Sequence, residues 1–242
     1  MSEKFRETIN LKTLYICGDS FSSHDPDYPG AWPELLQSRL PNIKIVNLSS
    51  PAASNYLIYL QVKHALAANC DYLIYNATSS IRQEFVLNKN LDIKDSLSRY
   101  WNLSAPTVNN PMICVSWINP QNTAASLLDK KTITELSNFF KKYIDMPSTI
   151  EKNYIFIQHT LDLIERSNVK WAWSRGGFNH QNFTSDNNNE LQFSHGTNHE
   201  IELNLWDYYD NKIIKPYYHI TDTDILQKVC NQYINMLKLN NV

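Results

Sequence analysis

The sequence predicts a three-layer α/β/α protein with a central parallel sheet, and three observations carry that expectation. Three apolar strand-like runs alternate with two helical periods between residues 12 and 77. The loops joining them are short, which favours parallel strands covered by helices on both faces. A chain of 242 residues suits one large domain with a substantial core.

Taken in order, residues 12–17 (KTLYIC) read as a buried strand that runs into the turn Gly18-Asp19-Ser20-Phe21. Pro29-Gly30-Ala31-Trp32-Pro33-Glu34 then opens a helix whose apolar positions Trp32, Leu35, Leu36 and Leu40 follow a helical period. Residues 43–48 (IKIVNL) form a second strand, followed by a helix over about 56–68 with Leu57, Leu60, Val62, Ala65 and Leu66 on its apolar side. Residues 71–77 (DYLIYNA) are the third strand. An insertion or elaboration is expected over about 86–147, with a helix over 91–101, a strand or buried segment over 112–118 and a helix over 132–143. Residues 148–167 read as a further helix, 168–173 as a fourth core strand, and 174–200 as a long polar loop. Thr221-Asp222-Thr223-Asp224 has the form of a helix cap, and the final helix, running to about 239, turns Ile225, Val229, Tyr233, Ile234 and Leu237 inward.

The formal net charge is -2. With no basic excess, neither nucleic acid nor an anionic membrane is an expected partner. The cysteines 17, 70, 114 and 230 lie far apart and form no CxxC pair, so neither a disulfide frame nor a thiolate zinc site is expected. With only five glycines, the chain contains neither GxGxxG nor a P-loop, and no cofactor is expected. His24 with Asp25 and Asp27, and His180, His195 and His199, lack the spacing of a metal motif, so solvated loops are the favoured reading. The first dozen residues hold no apolar signal core and no run approaches membrane-spanning length. The expectation is a soluble cytoplasmic protein.

Ser20 follows directly from a strand end, where the ligands of α/β sheets collect. The alternative is an ordinary turn, since Gly, Asp and Ser all favour turns. With the loop Asn47-Leu48-Ser49-Ser50-Pro51-Ala52-Ala53-Ser54-Asn55 and the C-terminal His219, the Gly-Asp-Ser turn resembles the SGNH hydrolases, or GDSL esterases and lipases. The resemblance covers the part up to about residue 85 and the last thirty or so residues, and implies a flavodoxin-like architecture. It implies that Ser20 attacks an ester carbonyl, that His219 takes the hydroxyl proton, and that the Ser20 N–H and the loop residues Ala52, Asn55 and Thr78 supply oxyanion or substrate contacts. A serine hydroxyl is a weak nucleophile, so a base and preset N–H donors are what this chemistry needs.

Three positions depart from the family pattern. Ala52 stands where the loop glycine is expected, Thr78 where the asparagine is expected, and Pro216 three residues before His219, where an aspartate is usual. Asp207, Asp210 and Asp222 are alternatives for orienting the imidazole. Asn55 can equally serve as a helix cap or loop brace, and Thr78 as a strand-end cap. Asp19, Arg82 and Glu84 are pocket candidates, with a surface ion pair as the ordinary role for the last two. The resulting expectation is a serine esterase or deacylase acting on a small polar or carbohydrate ester; the alternatives are a weak or inactive member of the same fold used as a binding or assembly module, and an unrelated flavodoxin-like nucleotide binder.

Overall fold

The computed structural model describes residues 11–23, 30–50, 53–80, 82–86, 112–116, 130–178, 193–208, 220 and 222–239. Over these the order is β1 (Lys12–Cys17), α1 (Trp32–Arg39), β2 (Ile43–Asn47), α2 (Asn55–Ala67), β3 (Tyr72–Asn76), β4 (Arg82–Val86), β5 (Met112–Ser116), α3 (Lys130–Tyr143), α4 (Met146–Glu165), β6 (Lys170–Ser174) and α5 (Thr223–Met236). Strands β2, β1, β3 and β6 lie side by side in that order in one sheet and are parallel throughout.

The two-residue period of the strands divides the core into two layers. Leu14, Ile16, Tyr72, Ile74 and Ala172 face α1 and α5, where they meet Trp32, Leu36, Val229 and Tyr233. Cys17, Leu73, Tyr75, Trp171 and Trp173 face α2 and α4, against Leu57, Ile58, Ile157 and Leu161. Burial on both faces explains why these strands read as nearly continuous apolar runs. The helix starts are fixed locally. The Ser54 hydroxyl accepts from the Leu57 N–H at the head of α2, Asp145 caps α4 through the Ser148 N–H, and Asp222 caps α5 through the N–H groups of Asp224 and Ile225.

The middle of the chain differs from the sequence reading in one respect. Residues 82–86, to which the sequence assigns no element, form a strand and pair antiparallel with 112–116 in a separate two-stranded sheet. Arg-Gln-Glu at the start of β4 gives no apolar run, so backbone pairing rather than side-chain pattern defines it. The helix expected over 91–101 lies outside the described residues. The polar stretch after β6 contains short 3-10 turns at Gly176–Phe178 and Thr197–His199. There Gly196, at φ +80°, is required: a Cβ would stand 2.9 Å from Trp173 Nε1, whose N–H donates to the Gly196 carbonyl. No helix among the described residues is long and apolar enough to cross a membrane.

Candidate active site at the carboxyl edge of the sheet

The chain leaves β1 for β2 on one side and returns to β3 on the other, so the carboxyl ends of β1 and β3 flank the switch point of the sheet. Open α/β sheets bind ligands in this crevice. Gly18-Asp19-Ser20 leaves β1 here, and Ala77-Thr78 leaves β3. Ser20 and Thr78 therefore stand at the same edge of the sheet.

The turn after β1 is held from several directions. The Gly18 N–H donates to Gln61 Oε1 of α2 at 2.8 Å, and the Gly18 carbonyl accepts from the Ser50 N–H. A Cβ on Gly18 would lie 2.9 Å from Ser22 Oγ and 3.2 Å from Asn76 Cβ, so the crossing of turn and strand end requires glycine. The Phe21 N–H donates to Asp19 Oδ1, the Ser22 N–H to the Asp19 carbonyl and the Ser23 hydroxyl to the Ser20 carbonyl. Ser20 itself is half-buried, and among the described residues neither its hydroxyl nor its N–H has a hydrogen-bond partner. An available hydroxyl beside an available N–H is the minimum a serine nucleophile brings to its own oxyanion site.

Thr78 is disposed differently. It is fully buried, and its hydroxyl donates to Asp19 Oδ2 at 2.6 Å. Its N–H donates to Asn55 Oδ1 at 2.9 Å, and its carbonyl accepts from Asn55 Nδ2. A hydroxyl has one proton, so here Thr78 braces Asp19 and has none to offer an oxyanion. Asn55, also fully buried, clamps the Thr78 backbone and donates to Asn153 Oδ1 of α4. Of the two structural roles open to it, the brace is the one observed, while capping of α2 falls to Ser54.

Arg82 and Glu84 do not pair with each other. Arg82 Nη1 donates to Asp19 Oδ2 and to the Ala53 carbonyl, both at 3.0 Å, with its side chain 13% exposed. Glu84 is instead bridged by Lys152 of α4 at 2.6 Å. The surface ion pair expected of these two gives way to a buried link into the Ser20 turn and a link from β4 to α4.

Beside the turn, a narrow cleft runs between the ends of β3 and β6 and the α5 face, with Asp19, Asn76, Ser174, Asn204 and Tyr233 on its walls. Burial pushes the Tyr233 phenol well above its ordinary value, so it stays protonated and donates to Asn76 Oδ1, while Asn76 Nδ2 donates to Ser22 Oγ. Cys17, just before the turn, is fully buried, and burial raises its thiol well above the usual range; it is not a competing nucleophile.

Ala52 and His219 lie outside the described residues, as do Asp210, Pro216, His180 and the His24 loop. Of the alternative aspartates, Asp222 is committed to the α5 cap and Asp207 is exposed. His195 Nδ1 pairs with Glu165 at 2.8 Å, and His199 stacks on Trp171 with ring centres 4.4 Å apart. Among the described residues no cluster of His, Cys, Asp and Glu could hold a metal.

Gln61 and Asn153 were not anticipated. Each interrupts an apolar helical stripe, Gln61 between Leu57 and Ala65 and Asn153 four residues before Ile157, and each is buried. A polar residue inside such a stripe needs a buried partner, and that was the available signal. Neither a scan against protein-family models nor a search of curated proteins gives a match to this chain. The fold and the edge geometry define an α/β protein with a crevice at the β1/β3 switch point.

Proposed function

We propose that this protein is a serine hydrolase of the SGNH type, cleaving an ester of a small polar or carbohydrate substrate through an acyl-enzyme on Ser20. The observation that carries the reading is Ser20 itself: a half-buried serine at the switch point whose hydroxyl and N–H have no partner among the described residues, while its neighbours are committed to holding the turn. In the reaction, Ser20 Oγ attacks the carbonyl carbon as the base, His219 in this reading, takes the hydroxyl proton. The alcohol leaves with that proton, and water then releases the acid by the same route. Turnover of a short-chain aryl ester should rise from acid through the ordinary histidine range, roughly pH 6 to 7. Ser20→Ala should abolish it and His219→Ala should remove the pH dependence with the activity. Turnover that survives Ser20→Ala would end the proposal.

A second reading is favoured by the Thr78 and Asn55 geometry. With both committed to structural bonds, the only oxyanion donor identified among the described residues is the Ser20 N–H. A weak or inactive SGNH-fold binding module would tolerate that loss. Absence of turnover together with no covalent capture at Ser20 would favour it.

A further inference from the structure

Three loops leave the carboxyl edge near Ser20: the turn after β1, the loop after β2 and the loop after β3. They are far apart in sequence, and only non-covalent contacts set their spacing. One nitrogen bridges the first two from the end of the third. Arg82 Nη1 lies 3.0 Å from Asp19 Oδ2 in the first and 3.0 Å from the Ala53 carbonyl in the second, and Arg82 itself ends the third as the first residue of β4. Asp19 Oδ2 also receives the Thr78 hydroxyl, from the same third loop.

We propose that Arg82 is a positioning residue for catalysis, tying the Ser20 turn to the Ala53 loop so that the nucleophile and its own N–H hold one geometry. The inference rests on the serine-hydrolase reading above. It differs from mere charge balance for Asp19 because the same nitrogen also binds a neutral carbonyl, which no carboxylate neutralisation requires. The guanidinium is planar and, at 13% exposure, mostly shielded from water, so both bonds are directional and little weakened by solvent. Attack geometry is sensitive to such a tie, since a displacement of about 1 Å lowers rates by roughly a hundredfold.

The test compares wild type, Arg82→Gln and the double variant Asp19→Asn/Arg82→Gln, in the full chain. Fluorophosphonate capture at Ser20 is measured per folded molecule, alongside thermal melting. Arg82→Gln leaves Asp19 without its cation, so a lower melting temperature is expected whichever role is true. The double variant removes both charges, and its melting temperature should move back toward wild type. If Arg82 positions the loops, capture stays down by roughly a hundredfold in both variants. If it only balances charge, capture in the double variant returns with stability, which overturns the proposal. Amide hydrogen exchange supplies a readout independent of chemistry. In Arg82→Gln, exchange should quicken together in residues 18–23 and 53–54 relative to β1 and β3, and unchanged exchange in either segment overturns the tie. If wild-type Ser20 is not captured at all, the hydrolase reading fails, and hydrogen exchange decides the tie alone.

Discussion

The turn after β1 and the loop after β3 each present a hydroxyl at the same crevice, yet the two hydroxyls are placed oppositely. Ser20 is half-buried with no described partner for its hydroxyl, whereas Thr78 is fully buried and donates to Asp19 at 2.6 Å. Both residues match hydroxyl chemistry by type. Only their partners separate a group kept available from a group in use. The difference also has a direction, because the Thr78 hydroxyl, the Phe21 N–H and Arg82 all converge on Asp19, the residue before Ser20. The loop after β3 supports the turn after β1.

Substitutions at the two hydroxyls should separate their roles. Ser20→Ala is expected to lower ester turnover by at least about a thousandfold. Because the hydroxyl has no described partner, the folding stability of that variant should stay within about 0.5 kcal/mol of wild type. Thr78→Val should do the reverse. It removes a donor from a buried carboxylate, so denaturant melts should show a loss of about 1 to 3 kcal/mol. Thr78→Ser, which keeps the donor, should recover most of that loss. If Thr78→Val instead melts like wild type while its kcat falls, the hydroxyl serves the oxyanion and the contrast collapses.

Gly18→Ala tests the crossing beneath the turn, where the added methyl would stand 2.9 Å from Ser22 Oγ. Overpacking there should destabilise by about 1 to 3 kcal/mol, measured by chemical denaturation. The smallest effect belongs to Glu165, the last residue of α4. The Gly196 N–H, and secondarily His195, hold its carboxyl below the usual range. A depressed carboxyl contributes stability above its unfolded value and loses it as pH falls through the folded value. Glu165→Gln should therefore lower the melting temperature slightly at neutral pH and match wild type well below about pH 4, with esterase turnover unchanged.

The sheet was legible in the sequence because its strands, β3 buried throughout and β2 only in part, read as apolar runs bounded by polar turns. Residues 12–17 and 43–48 read as strands to within a residue of β1 and β2, and the Asp222 cap of α5 was visible as a run of Thr and Asp. β4 was not legible, since Arg82, Gln83 and Glu84 have no apolar alternation and the residues they pair with, Ser116, Val115 and Cys114, lie far along the chain. Within the candidate site, Ser20 was legible because the turn chemistry is local. The partners of Asp19 were not, because Thr78 and Arg82 reach it across 59 and 63 positions of chain. A short motif marks a residue type at a strand end. It carries no information about which of two neighbouring hydroxyls a distant carboxylate will claim.

Covalent capture shows whether Ser20 is the proposed nucleophile. Wild-type protein is treated with a fluorophosphonate, and the modified peptide is located by mass mapping, with His219→Ala treated in parallel. One adduct per chain, on Ser20, is expected, with slow or absent capture in His219→Ala. An unmodified Ser20 in folded wild-type protein, or an adduct on another residue, would contradict it.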